Sequence, residues 1–440
     1  MVLDMPERTV LAAGLNHPLR LTLAAELHAR PFVRLSAPAC VSHLAIHGAH
    51  GGVPDERILA SLCARFGVAG PQPGAQHFFH DFGAFRLKWE CHTEFCTFSF
   101  IEQGVSGEAF AETPMRHVPR DWLEALSGQI IVASHILAEQ GEAYELDNPR
   151  LRRIFPAPLL VGSRVLAGGE LWTDLQVGPD GFSRFLLRDT GLREMQLGRI
   201  VQRICEIETY TLMALLALPL ARDHASRLTA IEADVTRLGL QMQAADDGAD
   251  EAQLLQDISR LAARVRSMSF DSGYRFGAAQ AYYRIVRDRI GELRERRIEG
   301  VPTLGEFMAR RLAPAMDTCV SVAARQEALA NKISRSNDLL RTRVSIAQEG
   351  QNQRVLERLS HSAAMQLRLQ QAVEGLSVVA VSYYGVGLAA YGLKAVKGWG
   401  AGLNVDGLIG VVLPLVLGAT WFGLRRLRHR LHGQTAVQGG

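Results

Sequence analysis

Alternating polar residues in the segment 89–95 (WECHTEF) have types and a spacing that suit chemistry. In a β-strand every second side chain lies on one face, so a strand here would bring Glu90, His92 and Glu94 together. Two carboxylates around an imidazole can bind a divalent metal ion or act as general acid and base. The same residues could equally form an ion-paired polar face, because a histidine two residues from a glutamate is an unspecific pattern.

A second polar cluster occurs nearer the N-terminus. The motif HPLR contains Arg20, and the motif LHARP contains His28 and Arg30. His28 is a candidate further metal ligand beside the first cluster, whereas the two guanidinium groups suit a carboxylate or phosphate ligand. The alternative interpretation is an N-terminal arm held to the domain by salt bridges.

Two more arginines lie on a predicted helix. Within residues 198–210, Arg199 and Arg203 are one turn apart, on the side opposite three isoleucines. Glu206 follows Arg203 by three residues, a spacing at which opposite charges meet on a helix. The stripe is either a stabilised helix surface or a site for an anion or a second subunit.

These candidates need a framework, and the sequence predicts an α+β protein that starts with a sheet domain over residues 1–190. Helical patterns fit residues 54–66 and 120–126, and residues 179–181 (PDG) predict a turn between the last two strands. The usual glycine-rich nucleotide motifs and the nucleophile elbow of hydrolases do not occur. The predicted strands, which form a mixed or mostly antiparallel sheet, are residues 42–48, 76–81, 84–91, 94–101, 129–137, 159–165, 170–177 and 181–188.

The middle of the chain, residues 191–300, predicts helical hairpins. Helical periodicity covers residues 193–243, and two separate amphipathic segments follow at 252–268 and 275–298.

A long stalk helix is predicted for residues 301–374. Thr303 has the position of an N-cap, and Glu306 completes a capping box with it. Gly350 is the position at which such a helix would most readily break. An apolar seam for packing against other helices consists of Val322, Leu329, Ile333, Leu340, Val344 and Ala347.

Two uncharged apolar segments close the sequence, at residues 375–393 and 407–424. As helices they would rise roughly 28 Å and roughly 27 Å, close to the ~30 Å of a bilayer's hydrocarbon core. They predict a transmembrane hairpin with an external loop at 394–406 and a basic tail at 425–440. A hairpin buried inside a soluble protein is the alternative.

Charge and cysteine patterns bear on the compartment. Basic residues are concentrated in the tail after the second apolar segment, which favours cytoplasmic N- and C-termini. The chain starts without a basic, apolar signal peptide, and its six cysteines form no C-x-x-C pair. A net charge of +3 provides no general field for nucleic acid. The expected location is the cytoplasmic (inner) membrane of a bacterium, with the lipid bilayer as a partner.

The chain resembles an uncharacterised bacterial family of predicted membrane-anchored proteins of unknown function, and the resemblance covers almost its whole length. It brings no established activity. The matching stretches are HPLR from His17, LHARPF from Leu27, WE-x-H-x-EF from Trp89, the helix from Gly198 to Tyr210, and the segment from Gln366 to Tyr384.

The order of a cytoplasmic domain, long helices, a stalk and two spans is also similar to that of the CorA-type magnesium channels, which are pentamers. Their first span ends in an aromatic residue followed by Gly-Met-Asn, whereas Tyr391 and Gly392 are followed here by Leu393 and Lys394. One lysine about 7 Å from a divalent ion costs ~1.2 kcal/mol even in water. In a channel of this type, residues 391–394 would form the mouth of the pore. Magnesium selectivity is therefore not expected for this chain.

Three functions remain open at the level of sequence. The first is a membrane-tethered cytoplasmic domain that binds a ligand or partner. The second is a homo-oligomeric, CorA-like channel or transporter with altered selectivity. The third is a membrane-bound enzyme that uses a divalent metal ion at Glu90, His92 and Glu94.

Overall fold

The computed structural model describes residues 17–20, 23–24, 33–48, 56–244, 248–398 and 405–432. The chain divides into two compact units. The first comprises Met1–Ala244 and Leu254–Asn337, and the second comprises Ala245–Gln253 and Asp338–Gly440.

The first unit contains a nine-stranded sheet in the order β2-β3-β4-β1-β5-β8-β7-β6-β9. All neighbouring strands are antiparallel except β5 and β8, which are parallel. The strands are β1 Ala39–His47, β2 His77–Asp81, β3 Arg86–Cys91, β4 Phe95–Gln103, β5 Ile130–Gln140, β6 Val161–Val165, β7 Gly169–Thr173, β8 Ser183–Asp189 and β9 Arg296–Arg297.

The eight predicted strands are all confirmed, as is the turn at residues 179–181, where the Gly181 N–H donates to the Gly178 carbonyl over 2.9 Å. The short helices are α1 Arg57–Arg65, α2 Arg120–Glu124 and α3 Pro149–Ile154, of which the first two were predicted. The ninth strand was not predicted, because two consecutive arginines carry no alternation.

Both faces of the sheet are covered. Side chains on one face of β1, such as Cys40 and Leu44, belong to apolar clusters that also hold α1, α2 and α3. On the other face, His43 contacts Thr209 of helix α4, Glu194–Leu215. The period-two alternation of strands therefore directs Cys40 and Leu44 into the apolar clusters and His43 to the α4 side.

Helices α5, Ala217–Ala244, and α6, Gly248–Leu293, follow α4. The predicted division into separate segments at 252–268 and 275–298 is wrong, because α6 runs without a break through this region. Ser272 is fully buried and its hydroxyl donates to the Met268 carbonyl over 2.8 Å, within the helix. Burial of this turn outweighs the low helix propensity of Gly273.

The predicted stalk helix is part of α7, Leu304–Gly398, which passes through Gly350 without a break. Its capping box is confirmed, since the Glu306 N–H donates to Thr303 Oγ1 and the Thr303 N–H donates to Glu306 Oε2, both over 3.1 Å. Val322, Leu329 and Ile333 of the predicted seam are buried. Within the first unit, α7 also contacts α5 through Arg325 and Glu232, 2.8 Å apart.

The second unit contains the remainder of α7 and helix α8, Val405–His432, as a helical hairpin. Ser382 Oγ lies 2.9 Å from Thr420 Oγ1, and Gly385 faces Val416 at close range. Many large apolar side chains of both helices are exposed, including Val379, Leu388, Leu415 and Phe422.

Among the described residues, two helical stretches are long and apolar enough to cross a membrane, Glu194–Gln243 and Leu304–Gly392. The first belongs to the core of the first unit, where half of its most apolar window is buried. Only 6% of the second window is buried, and Ile409–Gly423 forms a shorter apolar helix.

Candidate functional site

The α4 side of the sheet contains a cavity of about 400 Å³. Strands β1, β3 and β4 form its floor, α4 forms one wall, and the last turns of α6 contribute to the rim. Val33 and Leu35, from the segment that precedes β1, line it as well. Its size is within the range of small-molecule sites.

The segment before β1 can pack against α4 and line the cavity, because α4 has a glycine where the two backbones meet. A Cβ at Gly198 would overlap the carbonyl oxygen of Val33. Gly198 therefore allows a contact that any other residue would prevent.

An uncharged imidazole lies at the most buried end of the cavity. His43 is 4% exposed, its Nδ1 lies 2.9 Å from Ser99 Oγ, and its Nε2 lies 3.0 Å from Thr209 Oγ1. Burial, and secondarily the charges of Lys88 and His92, lower the pKa of His43 to about 3. This part of the cavity therefore presents neutral hydrogen-bonding groups at neutral pH.

A charged network begins on β3 beside the imidazole. Lys88 Nζ lies 3.1 Å from Glu90 Oε2 and donates to Gln202 Oε1 on α4 over 3.3 Å. Gln202 in turn donates to Glu206 Oε1 over 2.8 Å. The strand and the helix are thus connected by polar contacts that line the cavity.

The network continues onto α6. Arg289 contacts Glu206 and also Glu292, the latter at 2.9 Å, and Arg203 Nε donates to Glu292 Oε2 over 2.5 Å. The intrahelical pairing expected between Arg203 and Glu206 is therefore wrong. Both side chains bind partners on α6 instead, because α6 packs across the polar stripe of α4.

The predicted metal site is not assembled as a single strand face. β3 ends at Cys91 and β4 starts at Phe95, so residues 92–94 form the turn of a hairpin in which Cys91 pairs with Cys96. Glu90 and His92 line the cavity, whereas Glu94 does not. Among the described residues no group of three or more His, Cys, Asp or Glu side chains could hold a metal ion, and His28 lies outside the described residues.

Glu94 is directed to α6. Its side chain is 2% exposed, with Arg275 Nη2 at 2.5 Å and the Tyr282 hydroxyl at 2.6 Å. Burial by itself would raise the pKa of Glu94, but the hydrogen bonds from Tyr282 and Arg275, with the charge of Arg275, lower it overall. The carboxylate therefore ties the β3–β4 turn to the helix.

The predicted anion-binding arginines have different surroundings. Arg203 lines the cavity. Arg199, one turn earlier, is half-buried and does not line the cavity, and its Nε donates to the Met195 carbonyl over 3.2 Å. Arg20 belongs to the exposed segment 17–20, and Arg30 lies outside the described residues.

The predicted pore-mouth residues belong to α7 in the second unit. Tyr391 and Lys394 line a groove along the hairpin helices, together with Tyr383 and Ser382. Gly392 lies on the same helix, and the side chain of Leu393 is outside the described part of the chain.

His43, Lys88 and Gln202 were not among the predicted site residues. They come from three elements distant in sequence, so no local motif unites them. One signal was available, because Lys88 lies between Leu87 and Trp89 in a strand with two buried apolar neighbours. A charged side chain between two buried apolar residues indicates that the opposite face of the strand is covered by an element with polar partners.

Residues 15–431 match a protein family described as "Protein of unknown function (DUF3422)". The chain belongs to this family. The prediction of an uncharacterised family is thereby confirmed, and the family description assigns no activity to the DUF3422 chain. No curated protein matches it.

Proposed function

We propose that this protein is anchored in a membrane by its C-terminal hairpin and binds a small molecule in the cavity between the sheet and α4. The observation that carries the proposal is the uncovered apolar surface of the hairpin. Its exposed large side chains are Leu376, Val379, Val381, Tyr383, Tyr384, Leu388 and Tyr391 on α7, and Val411, Leu413, Leu415, Leu417, Trp421 and Phe422 on α8.

Exposing this apolar surface to water is unfavourable. Removing one large apolar side chain from water contributes about 1.5–3 kcal/mol, and the exposed set covers both helices. The few polar groups between the helices contact each other, as Ser382 and Thr420 do. This arrangement suits a hydrocarbon environment, where polar groups need internal partners.

The spans are proposed at residues 375–393 and 407–424, with the loop 394–406 outside the cell. The arginine-rich tail at 425–440 and the first unit lie in the cytoplasm of a bacterium, in accordance with the positive-inside rule.

The binding role rests on the cavity. It is enclosed by the sheet and α4, its size suits a small molecule, and neutral and charged hydrogen-bonding groups line it beside apolar side chains. Rigid strands and helices carry these groups, which suits selective binding more than a loose surface contact.

Membrane extraction of the full-length protein tests the anchor. We expect the protein to sediment with membranes, to resist alkaline carbonate, and to enter solution only with detergent. Val379→Asp, in the first proposed span, should raise the soluble or degraded fraction, because a charged residue destabilises a spanning helix, by up to about 2.5–3.5 kcal/mol at its centre. Val177→Asp is the matched control, since Val177 is an exposed valine of the first unit. Carbonate-soluble wild-type protein would contradict the anchor.

The unbroken course of α7 into the first apolar segment favours a second candidate, a homo-oligomeric CorA-like channel with altered selectivity. Residues 391–394 would then form the pore mouth, where Lys394 opposes cations. Imaging of the purified protein in nanodiscs distinguishes the two functions. A fivefold ring would favour the channel, and a monomer would exclude it.

A further inference from the structure

The side chains of the cavity leave several of the lining N–H donors unused. Arg203 has five N–H donors and uses only Nε within the described part of the chain. Arg289 uses Nε and Nη1, and Lys88 contacts Glu90 and Gln202 with an ammonium that has three donors. The remaining donors call for a ligand rich in acceptor oxygens.

The charges of the cavity limit how negative that ligand can be. The lining side chains carry three positive and three negative charges, namely Lys88, Arg203 and Arg289 against Glu90, Glu206 and Glu292. A monoanionic ligand adds only one negative charge to these six side chains, whose charges cancel. Its oxygens can accept hydrogen bonds from the unused N–H groups of Arg203 and Arg289. A dianion such as phosphate adds a second charge beside three carboxylates, which costs Coulomb energy in a partly dehydrated site. A cation finds carboxylates that already accept hydrogen bonds from arginine or lysine.

The exposure and polarity of the lining side chains differ between the two ends of the cavity, and this difference predicts the orientation of a bound ligand. The side chains of Arg203 and Arg289 are 16% and 34% exposed, so they lie towards the opening. Neutral His43, Ser99 and Thr209 lie at the buried end. Apolar side chains, Val33, Leu35, Val41, Ile101 and Val201, line the cavity as well.

On these grounds, and resting on the proposed binding function, we propose that the cavity binds a small organic monocarboxylate with an aliphatic body. Its carboxylate lies against Arg203 and Arg289, because the planar guanidinium fork matches two carboxylate oxygens. At its other end, a hydroxyl donates to or accepts from the hydroxyl of Ser99 or Thr209, or a carbonyl oxygen accepts from one of them. The carbon chain contacts Val201 and its apolar neighbours.

Binding to the full-length protein in nanodiscs tests the inference. The probes are short- and medium-chain monocarboxylates with a hydroxyl or oxo group at the end remote from the carboxylate, their methyl esters, the matching dicarboxylates, and inorganic phosphate, each measured by calorimetry. We expect monocarboxylates to bind and their esters to bind about tenfold more weakly or worse, because the ester loses a charge-assisted contact.

Variants locate the site. Arg203→Gln should weaken monocarboxylate binding by about tenfold, and Arg203→Lys should recover only part of it, since lysine keeps the charge and loses the fork. Arg199→Gln is the matched control, one turn away and outside the cavity, and it should bind within about twofold of wild type. Thermal unfolding without ligand verifies that each variant is folded.

The possible outcomes separate the inference from the proposed function. Equal binding of acids and esters, tighter binding of phosphate, or unchanged binding by Arg203→Gln would overturn the monocarboxylate assignment. Binding of an ester that Val201→Phe abolishes, by filling the cavity, would leave the binding function intact while refuting the ligand class. Failure of every probe would overturn the monocarboxylate assignment. Monocarboxylate binding by a protein that carbonate extracts would refute only the membrane anchor.

Discussion

Glu208 provides a pH-dependent test of how the first unit is packed. It belongs to α4, contacts Ser183 of β8, and has an Oε2 atom shielded from solvent. Burial raises the pKa of Glu208 from 4.5 to about 7, although the nearby hydroxyls of Ser134 and Ser183 oppose the increase. The folded state therefore disfavours the ionised carboxylate.

The sign and size of the effect follow from linkage. Because the folded-state pKa is the higher one, the contribution of Glu208 to stability is complete below pH 4.5 and is lost as the pH rises through about 7. At 1.36 kcal/mol per pKa unit, this loss amounts to about 3 kcal/mol. Glu208→Gln removes the titration and keeps a side chain of similar shape. The variant should match wild type near pH 4.5 and exceed its stability by about 3 kcal/mol above pH 7.

Urea unfolding of the detergent-solubilised protein measures this difference at several pH values. Tryptophan fluorescence reports on the first unit, where Trp89, Trp122 and Trp172 are buried. Subtracting the free energy of unfolding of the variant from that of wild type at each pH cancels the contributions of the other titrating groups. This holds when the slope of the free energy with urea concentration is the same in both proteins. A difference that stays constant from pH 4.5 to 8, or a wild type that is the more stable protein at high pH, would refute the argument.

Two other perturbations test contacts near the cavity. Gly198→Ala should lower the free energy of unfolding by about 1–3 kcal/mol, because its methyl group meets the backbone at Val33. Gly239 is a helical glycine with open space around it. Gly239→Ala is therefore the control, and in the same urea titration it should be neutral or stabilising by up to about 1 kcal/mol. Equal effects would contradict the close approach. Glu94→Gln should cost about 3 kcal/mol near pH 7, because it leaves Arg275 without its carboxylate. Since the folded-state pKa of Glu94 is lowered, this cost should diminish as the pH falls below 4.5, and a cost that persists at low pH would argue against the ion pair.

Strands and caps were predictable because their determinants are local. Alternation along β3 and β4 reflects two differently covered faces, so each strand could be recognised on its own. The capping box of Thr303 and Glu306 is likewise contained in one turn. The continuity of α6 depends on burial of Ser272 by other helices, and no window of sequence contains that information.

The candidate site was less predictable for the same physical reason. The alternation of Glu90, His92 and Glu94 suggested one face, but the β3–β4 hairpin turn falls within it and separates Glu94 from the other two. The cavity joins residues separated by more than one hundred positions, such as His43 and Thr209. Local spacing identified Arg203 as an anion-binding candidate without revealing that its partner Glu292 lies on another helix.

The residues at the cavity rim lie close in sequence to the group that caps α7. Arg289 and Glu292 lie in the last turns of α6, and Glu295 follows three residues later. The Glu295 carboxylate accepts hydrogen bonds from the backbone N–H groups of Leu304 and Gly305, at 3.0 and 2.8 Å, and so caps the start of α7. A carboxylate in this position stabilises the helix N-terminus. The rim of the cavity and the N-terminal cap of α7 are therefore carried by one short stretch of chain, residues 289–295.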